Sequence, residues 1–83
     1  IEVECATLSQ VEEALSAKVG VIMLDNMKIE DMAAAVTLIA KRALVEASGG
    51  ITLESVRAVA ATGVDFISVG ALTHSAPAAD FNM

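Results

Sequence analysis

Ser48-Gly49-Gly50-Ile51-Thr52 is the stretch best suited to chemistry. It follows an apolar run over 43–47 and precedes a helical pattern that opens at Thr52. Adjacent glycines permit a sharp turn and let backbone N–H groups meet a ligand with no Cβ in the way. A helix N-terminus behind them adds unpaired donors and partial positive charge. That combination makes an anion cradle, most often for phosphate; the same dipeptide also serves an ordinary strand-to-helix turn. Three acids accompany it. Glu4, Asp25 and Glu46 fall at equal intervals along the chain, and Ser68 continues the series at nearly the same spacing. Carboxylates gathered beside a phosphate cradle can bind ribose hydroxyls, hold a divalent metal or stabilise a cationic transition state. They can equally be exposed acids at strand ends. His74, shortly beyond Gly70, can donate to a phosphate oxygen or simply stand in a solvated loop.

Positioning these residues requires a scaffold, and its outline is legible. Ile1 to Cys5 alternates as a strand, with Glu2 and Glu4 on one face and Ile1, Val3 and Cys5 on the other. Thr7 and Gln10 fit a capping box, followed by the stripe Leu8, Val11, Ala14 and Leu15. The run 19–24 is apolar apart from Gly20 and reads as a strand buried on both faces. The spacing predicts a second helix over 29–41 with Met32, Ala35, Val36 and Ile39 inward. A third strand covers 43–47. Leu53, Val56, Val59 and Ala60 mark a third helix capped by Thr52 and closed by Thr62-Gly63. The fourth strand covers 64–69, residues 70–75 read as a second loop, and the tail with Pro77 as irregular. The order βαβαβαβ implies a parallel sheet with right-handed crossovers, half of an α/β barrel. Ligands of such folds bind at the C-terminal strand ends, where Glu4, Asp25, Glu46, Ser68 and Gly70 fall.

Composition narrows the partners. The 83 residues are 55% hydrophobic but only 2% aromatic, and the formal net charge is −6. That charge argues against nucleic acid or an anionic membrane as partner. No apolar run approaches the roughly 18 residues that span a bilayer. The excess of apolar residues instead suggests surface meant for burial against something outside this chain. A start at Ile1 within a strand leads us to expect a segment of a longer protein. The single Cys5 fits a helix-facing packing role and a reducing, cytoplasmic compartment. The basic residues are Lys18, Lys28, Lys41, Arg42 and Arg57, and only Lys28 falls at the end of the sheet that carries the acids. A highly anionic substrate needs more cations than this, so they are expected from elsewhere in the protein or from another subunit.

Four runs, taken in order, carry a family resemblance: Ile1-Glu2-Val3-Glu4-Cys5; Ile22-Met23-Leu24-Asp25-Asn26-Met27; Val45-Glu46-Ala47-Ser48-Gly49-Gly50-Ile51-Thr52; and the stretch from Thr62-Gly63 to Ala76-Pro77. The chain closely resembles the C-terminal third of the quinolinate phosphoribosyltransferases along its whole length. The resemblance implies residues 1–83 of an open α/β-barrel domain, with an N-terminal domain and the first barrel strands lying outside this chain. It implies a pentosyltransferase that joins quinolinate to phosphoribosyl pyrophosphate with Mg²⁺, in a homodimer or higher homo-oligomer. The products are nicotinate mononucleotide, pyrophosphate and carbon dioxide, a step of NAD biosynthesis. Residues matching Glu4 and Asp25 contact the ribose and the Mg–pyrophosphate region; those matching Ser48, Gly49, Gly50 and Gly70 hold the 5′-phosphate, with His74 beside it. Glu46 and Ser68 extend the polar pocket.

Two departures accompany the resemblance. The connection before the third strand is slightly shorter than is usual in the family, and Lys28-Ile29 replaces a common Ser-Pro helix start. Two other functions fit the same residues: a non-catalytic half-barrel that only binds phosphate, and a related phosphoribosyltransferase with another acceptor. The isolated chain is expected to be inactive.

Overall fold

The computed structural model describes residues 2–69 and the backbone of 72–75. Four strands are parallel and neighbour one another in chain order: β1 (Glu2–Cys5), β2 (Val21–Asp25), β3 (Leu44–Ser48) and β4 (Phe66–Val69). The crossovers carry α1 (Leu8–Ser16), α2 (Ile29–Ile39) and α3 (Val56–Ala61). This is the expected half-barrel order. A fifth strand, β5 (Leu72–Ser75), runs antiparallel to β4, with Val69 opposite Leu72 and Ile67 opposite His74. It occupies the stretch expected to be a loop. The connection from Val69 to Leu72 is short enough for a hairpin, whereas a parallel crossover needs roughly a dozen residues or more.

Each helix begins and ends for an identifiable reason. The Thr7–Gln10 capping box forms as expected: Gln10 N–H donates to Thr7 Oγ1 (3.2 Å), and Thr7 N–H donates to Gln10 Oε1 (3.3 Å). Lys28 stands at the N-cap of α2 and offers no side-chain cap. Glu30 and Asp31 in the first turn answer the exposed N–H groups instead. At the other end, Ala40 and Lys41 both take left-handed backbone (φ 50° and 66°). The Arg42 guanidinium turns back to donate to the carbonyls of Leu38 (2.7 Å) and Ile39 (3.1 Å). Ala40 to Ala43 therefore suffice to link α2 to β3, and the short connection is a continuous, hydrogen-bonded turn.

The third helix departs from expectation. Its regular part starts at Val56, while Thr52–Ser55 forms a preceding turn. Thr52 still organises that turn: Thr52 N–H donates to Ser55 Oγ (3.0 Å), and Ser55 N–H donates to Thr52 Oγ1 (3.3 Å). Leu53, expected inward, is 65% exposed because it lies in the turn rather than on the helix.

The helices cover one face of the sheet only. Cys5, Ile22, Leu24, Val45, Ala47 and Ile67 point toward them and are buried. Val11, Ala14, Met32, Ala35, Ile39, Val56 and Val59 answer from the helices. The buried cluster has no polar member among the described residues. Successive strand residues alternate between faces, so Glu2, Glu4, Met23, Asp25, Leu44, Glu46, Ser48, Phe66 and Ser68 share the opposite, uncovered face. Its larger side chains are exposed or half-buried, with Leu44 48% exposed. That face mixes acids and hydroxyls with Met23, Leu44 and Phe66, and no described helix covers it.

Candidate functional site

The uncovered face and the C-terminal strand ends bring together the residues singled out in the sequence, though not all on one level. In the register, Glu4 lies beside Met23, and Met23 beside Glu46, while Asp25 lies beside Ser48. The regular recurrence therefore puts the three acids on one face but staggers them. Asp25 sits two positions along its strand, roughly 6–7 Å, nearer the C-terminal end than Glu4 and Glu46. Asp25 and Ser48 form the rim; Glu4 and Glu46 form the row beneath.

At the rim the chain makes the turn expected from its glycines. Gly49 (φ 84°) and Gly50 (φ 68°) both adopt left-handed backbone, which costs an L side chain roughly 1–2 kcal/mol per residue. Space is as restrictive as torsion. A Cβ on Gly49 would lie 2.8 Å from Asp25 Oδ1 and 3.0 Å from the Asn26 amide nitrogen. One on Gly50 would lie 3.2 Å from Asn26 Oδ1. The tip of β2 thus fits directly against the glycine turn. Asn26, itself left-handed at φ 59°, donates its N–H to Ser48 O at 2.9 Å and ties the two strand ends together. The N–H groups of Gly49, Gly50 and Ile51 have no acceptor among the described residues. Such amides beside a carboxylate suit a phosphorylated ligand that also presents hydroxyls or a metal-bound group.

Ser68, level with Ser48 in the β3–β4 register, reaches one row down, where its hydroxyl donates to Glu46 Oε2 at 2.5 Å and joins β4 to β3. Sequence reasoning placed Glu2 only on a face and gave it no function. Although Glu2 is exposed, hydrogen bonding to Glu46, slight desolvation and repulsion from Glu46 and Glu4 hold its carboxyl pKa above the ordinary 4.5. The signal was present in the alternation of Glu2 with Glu4; missing was the register that sets β1 and β3 on either side of β2. Glu4 is exposed in the same row. Gly70 lies outside the described residues. His74 is described by its backbone alone, on β5 opposite Ile67.

Cys5, beside Glu4 in sequence, faces away into the core at 1% exposure. Burial, aided by the negative charge of Glu13, pushes its thiol pKa up, so it stays an unreactive packing group. Among the described residues no three His, Cys, Asp or Glu side chains cluster closely enough to cage a metal ion. No described helix is long and apolar enough to cross a membrane.

Residues 1–83 match the family model described as "Quinolinate phosphoribosyl transferase, C-terminal domain". The chain is 46% identical to a probable carboxylating nicotinate-nucleotide pyrophosphorylase of Synechocystis, over 86 residues that cover all of this chain and 29% of that protein. It is 44% identical to the carboxylating nicotinate-nucleotide pyrophosphorylase of rat over the same lengths. The Bacillus subtilis relative matches at 46% over 83 residues, so the shorter span is shared within the group. Among solved structures, the nicotinate-nucleotide pyrophosphorylase of Ehrlichia chaffeensis superposes with a TM-score of 0.82 at 46% identity. That match covers 84% of this chain and 26% of the other. The Francisella tularensis enzyme gives 0.80 at 40% identity, covering 90% and 28%. The chain spans less than a third of each of these relatives. A family match over every residue and a shared backbone at this level of identity lead to one conclusion: the chain belongs to the quinolinate phosphoribosyl transferase family, within its C-terminal domain.

Proposed function

We propose that this chain is the phosphate-gripping part of an enzyme that transfers phosphoribose from phosphoribosyl pyrophosphate to quinolinate. Carbon dioxide and pyrophosphate leave, and nicotinate mononucleotide results, a step of NAD biosynthesis. The observation that carries this reading is the contact of the Asp25 carboxylate with the Gly49-Gly50 turn, whose amides lack acceptors among the described residues. A phosphosugar presents a phosphate and a ring side by side, and the site offers donors for one and carboxylates for the other.

In this reading Ser48 and the amides of Gly49 and Gly50, with Gly70, hold the 5′-phosphate, and His74 stands beside it. Fixing the phosphate fixes the anomeric carbon. As its bond to pyrophosphate breaks, positive charge builds on the ribose ring, and Asp25 and Glu4 favour that charge. Glu46, held by Ser68, lines the floor of the pocket. The residues present fit Mg²⁺ in its usual manner, through one or two carboxylates plus substrate oxygens rather than a protein cage. Asp25 and Glu4 would hold it indirectly, through the pyrophosphate; when bound it would neutralise the departing pyrophosphate. The carboxylates of quinolinate need cations, which we assign to the rest of the protein or to a neighbouring subunit of a homodimer or larger assembly. The uncovered sheet face supports burial against such a partner surface. The buried, inert Cys5 is consistent with a cytoplasmic setting.

The test is a steady-state assay for nicotinate mononucleotide, run on the complete protein carrying this segment and on the isolated chain. The complete protein should turn over and the isolated chain should not. In the complete protein, Asp25→Asn should lower kcat by about 10²-fold or more. Turnover by the isolated chain would contradict the assignment of the cations elsewhere, and undiminished activity of Asp25→Asn would remove the assigned carboxylate.

A further inference from the structure

We propose that Asn26 is a positioning residue of the phosphate grip, its carboxamide setting the glycine turn at a fixed distance from the Asp25 carboxylate. The proposal rests on the function proposed above. Three observations at one place carry it. The Asn26 backbone is left-handed (φ 59°), a conformation that asparagine adopts more readily than most residues. Its N–H donates to Ser48 O at 2.9 Å, anchoring the first residue of the turn. Its Oδ1 occupies the volume that a Cβ on either glycine would approach, at 3.2 Å in both cases. The carboxamide therefore forms the back wall of the turn, while Asp25 Oδ1 forms its side, 2.8 Å from the Cβ position of Gly49.

The consequence is geometric. The phosphate donors stand on β3 and the ribose-facing carboxylate on β2, and two strand ends connected only through the ladder can shift by fractions of an ångström. A neutral, planar amide set against the turn from its solvent side limits that shift. An aliphatic residue of similar size would lose the left-handed backbone. An aspartate would keep the shape but place negative charge against the anion site. Asparagine combines the shape, the torsion and the neutrality.

The experiment uses the complete protein carrying this segment and two variants. Asn26→Gly retains the left-handed backbone and the bond to Ser48 O but removes the wall. Asn26→Asp retains the wall and adds charge. Inorganic phosphate is titrated by calorimetry, thermal unfolding is followed in parallel, and KM for phosphoribosyl pyrophosphate is compared with KM for quinolinate. The expectation is weaker phosphate binding by about tenfold in Asn26→Asp and about threefold or more in Asn26→Gly. KM for the phosphoribosyl donor should rise in step, with KM for quinolinate and the unfolding temperature little changed. A merely structural role would lower the unfolding temperature and leave the two KM values in their original ratio. If wild type binds phosphate and both folded variants match it, Asn26 has no positioning role and the proposed function stands. If wild type itself neither binds phosphate nor turns over, the functional reading falls, and this inference falls with it.

Discussion

Replacing Gly49 by alanine tests whether the glycine turn is built for close approach or is only a convenient bend. At φ 84° an alanine forfeits roughly 1–2 kcal/mol relative to a right-handed or extended residue. The new Cβ also meets Asp25 Oδ1 at 2.8 Å and the Asn26 nitrogen at 3.0 Å. The carboxylate can rotate aside, but the backbone nitrogen cannot, because it is hydrogen-bonded to Ser48 O. Relieving that contact means moving the turn, at about 1–3 kcal/mol for an overpacked position. The combined loss is about 2–5 kcal/mol, read as a shift in urea midpoint at constant slope in the complete protein. Phosphate affinity should fall by about tenfold or more, since the amides move with the turn.

Two other glycines calibrate the result. Gly63 is left-handed (φ 98°) and a Cβ there meets only Val36 Cγ1, at 3.1 Å. Gly63→Ala should cost about 1–3 kcal/mol and leave phosphate binding intact, because it lies before β4, away from the strand ends that form the rim. A Cβ on Gly20 meets nothing within 4 Å, so Gly20→Ala should be close to neutral in both measurements. A Gly49→Ala variant that behaves like Gly20→Ala would refute the packing argument, and one that behaves like Gly63→Ala would refute the link to phosphate.

Further outcomes follow from the packing and the charges. Glu2→Gln should raise the unfolding temperature at pH 7–8 and leave it unchanged near pH 4. The folded state binds the Glu2 proton more tightly than the unfolded chain does, so wild type loses that contribution as pH rises above the ordinary 4.5; glutamine keeps the hydrogen bond without the charge. Ile67→Ala, at a fully buried position in β4, should cost about 2–5 kcal/mol by urea unfolding. Thr7→Ala should cost about 1 kcal/mol by the same measurement, through loss of the α1 cap.

How much was legible depended on how local each feature was. The capping box at Thr7 and Gln10 was readable because its partners lie within one helical turn. The stripes of α1 and α2 were readable because burial of one helix face imposes the 3.6-residue period. The third helix starts later than its pattern suggests. Thr52 and Ser55 satisfy each other, and Leu53 between them matches the stripe in sequence while the turn exposes it. The strand β5 was missed because Leu72 to Ser75 carries loop-like polar residues, and its pairing with β4 depends on a neighbour strand.

The candidate site divides in the same way. Alternation placed Glu4, Asp25, Glu46 and Ser68 on one face, and the glycine pair announced a turn. Their mutual heights did not follow from the even spacing of the acids. The ladder pairs Glu4 with Met23 and Met23 with Glu46. The first step is thus shorter than the acid spacing and the second longer, and no local rule distinguishes these from two equal steps.

The sequence by itself determined the order of the four parallel strands and three helices, the buried face of those strands, the side chains available for chemistry and the family to which they belong. These are properties of neighbours along the chain, enforced by backbone period and by the glycines' freedom of torsion. Tertiary structure alone decided that Asp25 abuts the glycine turn while Glu46, a row below, accepts from the Ser68 hydroxyl. It also decided that Asn26 stands against the Gly49-Gly50 turn. Register arises from strands packing against one another and against their helices, across whole βα units, over separations in sequence that no local pattern encodes.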